Sequence, residues 1–398
     1  MSDTVFILGA GFSRAAGIPL LGGFVDQMWE MAMRGKAKEP LDETDKRLFA
    51  SAMQIREEID SYHGRAAFND RNIEDLLSIL SFNVIGGDKR DKAKLATMSR
   101  AIARTIELLC SVKHPGINFD RNSVVSDGPD LYRTFWNSLF KAVSAGHKIP
   151  TIITFNYDLV LERSLLQNLI GTSYGSSKRL PFQRFRIDYH YSLLETRTYD
   201  IRYTTFESWG SHSRKVEEGA VIGLENAALQ IPTTSIEILK LHGSLNFPKK
   251  LTKLTLNSID TTLSHAVEDP FILPPVFNKS SGDVAESMWS IAIERIRSAK
   301  NIVIVGYSLP ATDIYMQYFL KAGVGPNRNL SKIVVFDPVL FSASPACEEM
   351  KLRYGSCFAP QLQDRIDFQP KTKNEHTPAG TAEAMIKILA NNPETLLF

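Results

Sequence analysis

Short apolar runs that end in small or polar residues are the feature that most restricts how this chain can fold. Such runs occur five times, and the segments between them have the composition and periodicity of helices. Unbroken apolar runs of this length are typical of strands that helices cover on both faces, as in parallel sheets. The sequence therefore predicts an α/β fold with a doubly wound, Rossmann-like parallel sheet. The predicted strands are residues 5–8, 150–155, 236–241, 301–305 and 332–336.

The longest interval between two predicted strands contains a large helical insertion. Helix-forming residues dominate positions 24–109, and apolar side chains recur there at helical spacing, as at Ile73 and Leu77. Residues 171–235 mix glycine, serine, aromatic and charged side chains, and we expect them to be irregular with short strands. The predicted organisation is a Rossmann-like domain formed by residues 1–23, 131–170 and 236–345, a helical insertion at 24–130, an irregular insertion at 171–235 and a C-terminal extension at 346–398.

Composition and charge exclude several classes of function and location. The chain has 46 basic and 44 acidic residues, so no overall field favours nucleic acid or an anionic membrane as a partner. The first residues lack a basic segment, and their apolar run is too short for a signal peptide or a membrane span. Cys110, Cys347 and Cys357 form no C-x-x-C pair, and the histidines show no cluster. We therefore expect a cytoplasmic protein with no membrane segment, no disulfide framework and no bound metal.

The first predicted strand ends in Gly9-Ala10-Gly11, which a helix can follow from Ser13. A strand, a glycine turn and a helix N-terminus often bind a diphosphate, because glycine lets the ligand approach backbone N–H groups. Arg14 stands where the dinucleotide fingerprint has its third glycine, and no acidic residue ends a second strand at the expected spacing. A hydride-transferring dehydrogenase is therefore disfavoured. A tight turn that binds no ligand is the alternative for this motif.

Polar residues also follow the middle strands, and the carboxyl ends of parallel strands meet at one edge of a sheet. Asn156 and Asp158 flank Tyr157, so both would face one ligand if the strand geometry continued. The alternative is that Asp158 caps the next helix. His242 precedes a glycine and could act as a general base, although a lone histidine at a strand end is more often structural.

Two further strand ends carry groups that suit a nucleotide. Backbone N–H groups of Gly306-Tyr307-Ser308 and the Ser308 hydroxyl could hold phosphate, and the Asp337 carboxylate could hold a ribose diol or an adenine amino group. Each cluster by itself is ordinary loop chemistry. The prediction of a nucleotide site depends on the occurrence of all these clusters, in order, at strand ends.

Taken together, the motifs resemble those of the sirtuin family. The sirtuin opening G-A-G-x-S-x-x-x-G-I-P is present at residues 9–19. The family's T-Q-N-I-D is similar to residues 154–158, its H-G to His242 and Gly243, and its G-T-S to residues 306–308. The chain has no C-x-x-C, whereas classical sirtuins bind zinc through four cysteines. The resemblance is therefore closest to the zinc-less, sirtuin-like branch that acts in bacterial anti-phage defence.

The resemblance implies that NAD lies across the carboxyl edge of the sheet and loses nicotinamide from C1′ of its ribose. Asn156 would orient the ribose or an attacking water, and Asp158 would hold the nicotinamide carboxamide. His242 would be the base that acts on the ribose hydroxyl or on water. The residues implied in binding the rest of NAD are Gly9, Ala10, Gly11, Ser13, Gly306, Ser308 and Asp337.

Departures from the family pattern decide which reaction is expected. Leu20-Leu21-Gly22 follows the opening, so the arginine that helps to shape the nicotinamide pocket is missing. The zinc lobe that presents an acyl-lysine peptide is also missing, so water becomes the expected nucleophile. The resemblance, with these departures, thus implies an NAD+ hydrolase that forms nicotinamide and ADP-ribose and acts in defence by depleting NAD.

Three alternatives remain open at the level of the sequence. An NAD-dependent protein deacylase would need a peptide channel, and a non-catalytic module that binds NAD or ADP-ribose for assembly would not need His242 as a base. A nucleic-acid enzyme would need a basic, aromatic-interleaved patch, although a solvated loop accounts for the same residues. The residues of that patch are Lys178, Arg179, Phe182, Arg184, Phe185 and Arg186.

The resemblance also implies partners. Enzymes of this class are held inactive by assembly or by a trigger, so we expect a homo-oligomer. A partner such as a HerA-type ring ATPase or a short Argonaute is implied by the same likeness, and nucleic acid would be contacted only indirectly. The helical insertion could serve as a lid, as an oligomer surface or as both.

Overall fold

A computed structural model of the chain contains one large sheet with helices packed against it. The structure describes residues 2–35, 37, 40–61, 69, 71–87, 89–113, 130–170, 181–194, 198–206, 216–224, 232–249, 266–273, 282–310, 313–341, 344–369 and 381–397. The strands in this part of the chain are β1 (Thr4–Leu8), β2 (Thr151–Thr154), β3 (Arg184–Asp188), β4 (Thr198–Phe206), β5 (Val216–Leu224), β6 (Thr233–Lys240), β7 (Gly243–Pro248), β8 (Pro270–Ile272), β9 (Asn301–Val305), β10 (Lys332–Phe336) and β11 (Ile366–Gln369).

The large sheet has nine strands in the order β11-β10-β9-β1-β2-β6-β3-β4-β5. All neighbours from β11 to β3 are parallel, whereas β4 and β5 extend the sheet as an antiparallel hairpin. β7 and β8 form a separate antiparallel pair. Leu8 is level with both Thr154 and Val305, so the carboxyl ends of β1, β2 and β9 lie side by side. The predicted α/β fold with a Rossmann-like sheet is confirmed, and the β4–β5 hairpin is an antiparallel addition to the predicted parallel sheet.

The helices connect the strands and cover the sheet. They are α1 (Ala10–Ser13), α2 (Phe24–Arg34), α3 (Glu43–Asp60), α4 (Ile73–Ile85), α5 (Lys89–Leu109), α6 (Leu131–Ser144), α7 (Val160–Ile170), α8 (Gly282–Ser298), α9 (Ile314–Val324), α10 (Pro345–Ser356), α11 (Pro360–Gln363) and α12 (Thr381–Asn391). Several begin at a polar cap, because a side-chain oxygen can accept from an otherwise unpaired N–H of the first turn. Asn72 caps α4 and Asp313 caps α9 in this way.

The direction of the chain across the sheet reverses at β1. On one side of β1 the chain forms β2, then β3, β4 and β5 toward the far edge, and then β6 between β2 and β3. It returns to form β9, β10 and β11 on the other side of β1. Because crossovers between parallel strands are right-handed, α6 and α7 belong to one face and α8, α9 and α10 to the other. Contacts of α6 with α7 and of α8 with α9 agree with this assignment. The boundary between β1 and β9 is therefore the topological switch point, where ligands bind in folds of this kind.

The strands on either side of the switch point form the centre of the hydrophobic core. Every residue of β1 and β9 is buried, as the unbroken apolar runs predict. Phe6 and Phe12 pack against Phe135 of α6, with ring centroids 6.2 and 5.8 Å away. The rigid sheet edge thus fixes the positions of the turns that follow the strands.

Helices α2, α3, α4 and α5 fill the predicted insertion and pack mainly on one another. α4 also contacts residues 21–23, and α5 contacts β8. Both contacts lie beside segments that carry candidate site residues, because residues 21–23 follow the glycine turn and Gly243 pairs with Ile272 of β8. The insertion is therefore attached to the carboxyl edge of the sheet.

Two segments contribute more to the sheet than the sequence suggests. Residues 184–188, 198–206 and 216–224 form three strands of five, nine and nine residues within the predicted irregular insertion. β-Branched and aromatic residues favour strands even where charged residues interrupt them, as in the sequence of β4. Beyond residue 345, β11 extends the sheet, and α12 packs on α6, β9 and β10.

Candidate active site

The turns that follow β1 and β9 meet at the switch point and hydrogen-bond to each other. Gly9 N donates to Val305 O at 2.9 Å, and Gly11 N donates to Gly306 O at 2.9 Å. Gly306 N donates in turn to Phe336 O at 2.8 Å. The N–H groups of Gly9 and Gly11 therefore have partners within the protein.

Close packing accounts for the glycines of these turns. A Cβ atom on Gly9 would lie 2.5 Å from Gly306 O, and one on Gly11 would lie 2.7 Å from Gly306 Cα. Gly306 has a φ of +65°, in the left-handed region that favours glycine. The sequence alone suggests that these positions are glycine so that a ligand can approach. In the structure, glycine is required because the β1 and β9 turns pack directly against each other.

The helix after the glycine turn is short. α1 has four residues, and a 3-10 turn at residues 14–16 follows it. Its dipole is accordingly small, because the macrodipole arises from many aligned peptide units. Ala10 is exposed, and Ser13 is buried with only 2% of its surface accessible.

Asn156 joins the β2 turn to the glycine turn. Its Nδ2 donates to Gly9 O and to Ser13 Oγ, both at 2.9 Å. A carbonyl can only accept, so the bond to Gly9 O fixes the orientation of the amide. Both Nδ2 hydrogens are thereby engaged, and Oδ1 is the group of this half-buried side chain that can accept from a ligand.

Asp158 lies deeper than Asn156 and has different contacts. β2 ends at Thr154, so the alternation of a strand does not continue through residues 156–158. Asp158 is 6% exposed, and its carboxylate accepts from Val160 N, the first residue of α7, at 3.0 Å. This short-range bond at the start of the helix is close to the capping role considered as the alternative. Burial and, to a smaller extent, the nearby charge of Asp158 raise the pKa of the Cys110 thiol to about 11. The carboxylate therefore lies on the side of Cys110.

His242 lies in an aromatic enclosure at the end of β6. Its ring centroid is 5.0 Å from that of Phe155, 6.3 Å from that of Tyr157 and 6.4 Å from that of Trp289. The histidine is 6% exposed. Phe155 and Tyr157 flank Asn156 in the sequence, so the structure brings His242 and the Asn156 segment together.

Backbone bonds hold the His242 segment against the Asn156 segment. Leu241 N donates to Thr154 O at 3.0 Å, and Leu245 N donates to Tyr157 O at 2.9 Å. Gly243 between them has a φ of +88°, which turns the chain sharply from β6 into β7. The histidine therefore lies at a turn that is held at both ends.

The fourth group of strand-end residues, Gly306-Tyr307-Ser308, presents its tyrosine toward the centre of the site. The Tyr307 ring is 5.4 Å from that of Phe155, and its hydroxyl donates to Asp313. Ser308 is exposed, and its carbonyl accepts from Arg353 at 3.3 Å. Tyr307, whose side chain has no role in the sequence argument, is thus a candidate wall residue.

Asp337 ends β10 beside this cluster. Its carboxylate is 5% exposed, and burial raises its pKa above the usual value. Val339 N donates to its Oδ1 at 2.9 Å, which partly counteracts the effect of burial. Asp337 therefore stabilises the local turn in this structure.

Glu74 of α4 adds a carboxylate that sequence reasoning missed. Burial is the main cause of the raised pKa values of Tyr157 and Tyr307, and the charge of Glu74 contributes to both. The helical insertion therefore places negative charge near two of the turns that form the site. The capping residue Asn72 is a sequence signal for where α4 begins, but no sequence signal shows that α4 faces this site.

The candidate nucleic-acid patch is largely used for internal packing where the structure describes it. Phe185 is fully buried and stacks on Tyr199 at 5.3 Å, and Arg184 pairs with Asp200 at 2.7 Å. Lys178 and Arg179 lie outside the described residues. Phe185 and Arg184 are thus unsuited to contact a base or a phosphate.

The described residues offer no grouped metal ligands and no membrane-spanning helix. Within the described ranges, no three His, Cys, Asp or Glu side chains are grouped as metal ligands. In the same ranges, no helix is both long and apolar enough to cross a membrane. No known protein family and no curated protein matches the chain.

Proposed function

We propose that the chain is a sirtuin-like NAD+ hydrolase that converts NAD+ and water into nicotinamide and ADP-ribose. The observation that carries this proposal is the joint position of Asn156 and His242. Asn156 bonds to the glycine turn through Gly9 O and Ser13 Oγ, while His242 packs on Phe155, the residue before Asn156. A polar acceptor and a base thus come from two strand ends to one edge of the sheet.

The geometry of Asn156 supports a specific role. Because Nδ2 is engaged by the protein, the amide would act on a ligand through Oδ1. An amide oxygen accepts hydrogen bonds, so it would orient a ribose hydroxyl or a water molecule rather than a carbonyl or phosphate. This role agrees with the one that the sirtuin resemblance implies for Asn156.

His242 would supply the base. The bond between C1′ and the nicotinamide nitrogen breaks with its electron pair going to nicotinamide, and a water oxygen then bonds to C1′. The proton lost by that water passes to His242 and then to solvent. The surrounding rings of Phe155, Tyr157 and Trp289 would exclude other water molecules, which limits side reactions.

The biological setting is part of the same proposal. An enzyme that consumes NAD without a protein substrate suits an effector of anti-phage defence that acts by NAD depletion. Such an activity must be held in check, so we propose a homo-oligomer and a partner, such as a HerA-type ring ATPase or a short Argonaute, that supplies the trigger. Native mass spectrometry of the purified chain and of lysate complexes tests this part.

One observation favours a second candidate function. The carboxylate of Asp158 is committed to Val160 N, and the Asn156 amide nitrogen is committed to the glycine turn. Both residues are therefore useful to the fold without any reaction, as in a non-catalytic module that binds NAD or ADP-ribose for assembly. Such a module would bind NAD and leave it intact.

The deciding experiment is an NAD turnover assay with chromatographic separation of products, on the chain alone and with lysate that supplies a partner. Wild type should release nicotinamide and ADP-ribose in equal amounts, and Asn156→Ala and His242→Ala should each lower kcat by about 10²-fold or more. His147→Ala and Asn329→Ala are matched controls, since both residues precede strands and lie at the opposite edge of the sheet. Thermal protection by NAD without turnover in any condition would favour the binding module.

A further inference from the structure

A fully buried ion pair lies directly behind the candidate site. Lys240 Nζ is 3.0 Å from Glu162 Oε1, and the two side chains are 1% and 0% exposed. Lys240 is the last residue of β6, and Glu162 lies in the first turn of α7. Neither residue has a role in the proposed reaction so far.

The pair is not explained by stability alone. Taking two charges out of water is costly, and apolar residues of similar size often stabilise a core equally well or better. Within the described part of the chain, Glu162 Oε2 accepts no hydrogen bond, although Oε1 accepts from Tyr189 at 3.1 Å. An incompletely satisfied charge pair is a poor choice for stability, so its geometry points to another use.

The ammonium group of Lys240 links the two segments that carry the proposed catalytic groups. Its Nζ donates to the carbonyl of Asp158, two residues after Asn156. Lys240 itself lies two residues before His242. Leu245 N and Ser244 Oγ add bonds to Tyr157 O, at 2.9 and 3.4 Å, so the whole 156–158 turn is held against the β6–β7 turn.

We propose that Lys240 is a positioning residue, which sets the distance between Asn156 and His242 through its bond to the Asp158 carbonyl. Glu162 directs the Lys240 ammonium group through the 3.0 Å contact between Nζ and Oε1. This inference rests on the proposed function for its effect on the reaction. A displacement of about 1 Å between reacting groups can lower a reaction rate by about 10²-fold.

The test is a neutral double variant, Lys240→Met with Glu162→Gln, which removes both charges and keeps an acceptor for Tyr189. We expect it to fold with a melting temperature close to wild type and to bind NAD with unchanged affinity, while kcat falls by about 10- to 100-fold. The matched control is Arg184→Met with Asp200→Asn, because that pair is buried between β3 and β4, away from the site. The control should keep the wild-type kcat.

Two results would overturn the inference. A double variant with kcat close to wild type would show that the pair does not position the site, and one that fails to fold would show that the pair serves folding instead. If wild type does not turn over NAD either alone or with the partner lysate, the proposed function fails, and amide hydrogen exchange decides the inference. The Leu245 amide should then exchange roughly tenfold faster in the double variant while β9 amides stay protected; unchanged exchange at Leu245 would refute the positioning role.

Discussion

Gly306→Ala tests whether the contact between the β1 and β9 turns holds the site together. The new Cβ would lie 2.5 Å from Phe12 N and 2.6 Å from Gly11 C, and both are backbone atoms that cannot rotate away. Forcing a side chain into packed space costs about 1–3 kcal/mol, and a left-handed φ adds about 1–2 kcal/mol. We therefore expect the free energy of unfolding to fall by about 2–5 kcal/mol, a large part of the typical 5–15 kcal/mol of a folded protein.

Urea unfolding followed by circular dichroism measures this loss, with Gly35→Ala as the matched control. Gly35 has a φ of +58°, yet a Cβ there would meet nothing within 4 Å, so only the backbone strain of about 1–2 kcal/mol should appear. The difference between the two variants isolates the close approach. Equal losses in both variants would refute the reasoning, because the contact at Gly306 would then have no energetic weight.

Three further predictions follow from the described contacts. Burial by itself would raise the pKa of Glu237. Hydrogen bonds from His190 and other neighbours outweigh this effect of burial, so the pKa of Glu237 falls from 4.5 to about 2. The ionised Glu237 therefore stabilises the fold by about 3 kcal/mol at most above pH 4.5, and this stabilisation is lost as the pH falls toward 2. Urea unfolding at several pH values should show that the free energy of unfolding of Glu237→Gln depends less on pH over this range than that of wild type. Tyr132→Phe removes the acceptor of Ala16 N and the donor to Phe12 O, which should lower the free energy of unfolding by about 1–3 kcal/mol and the melting temperature with it. Cys110 should resist iodoacetamide at pH 8 until the chain is unfolded in urea, because burial raises its thiol pKa to about 11; rapid labelling of the native chain at this residue, detected by mass spectrometry, would contradict this.

The central sheet could be predicted from the sequence because its strands are buried on both faces. The predicted bounds 301–305 and 332–336 are those of β9 and β10, since an apolar run ends where the strand leaves the core. The hairpin of β4 and β5 could not be predicted in this way. Its residues mix charged, polar and apolar side chains, so neither a continuous apolar run nor a regular alternation marks it.

The composition of the candidate site could be predicted, but its internal bonding could not. The carboxyl ends of parallel strands lie at one edge of the sheet, and this topology brings together Gly9, Asn156, His242 and Gly306. The orientation of each side chain depends on where regular geometry stops. β2 ends at Thr154, so Asn156 reaches the glycine turn while the nearby carboxylate of Asp158 is directed to α7.

Long-range partners were beyond sequence reasoning for a related reason. Lys240 and Glu162 are 78 positions apart, and nothing local to either residue indicates that both charges are buried. Glu74 belongs to a helix whose amphipathic pattern indicates burial but not which strand ends it faces. Such contacts arise only when distant elements pack together.

The bonding of the turns implies how this site would recognise a nucleotide. In the structure, the N–H groups of Gly9, Gly11 and Gly306 are committed to neighbouring carbonyls, so the glycine turns cannot offer them to a phosphate without rearranging. Recognition in this arrangement would therefore depend on groups other than these three N–H groups, among them Asn156 Oδ1 and His242. A nucleotide that does engage the glycine turn must first separate it from the β9 turn, and binding would then be coupled to opening of the switch point. An observed association rate that reaches a plateau at high NAD concentration would reveal such an opening step. A rate that rises linearly with NAD concentration would show that binding needs no opening of the turns.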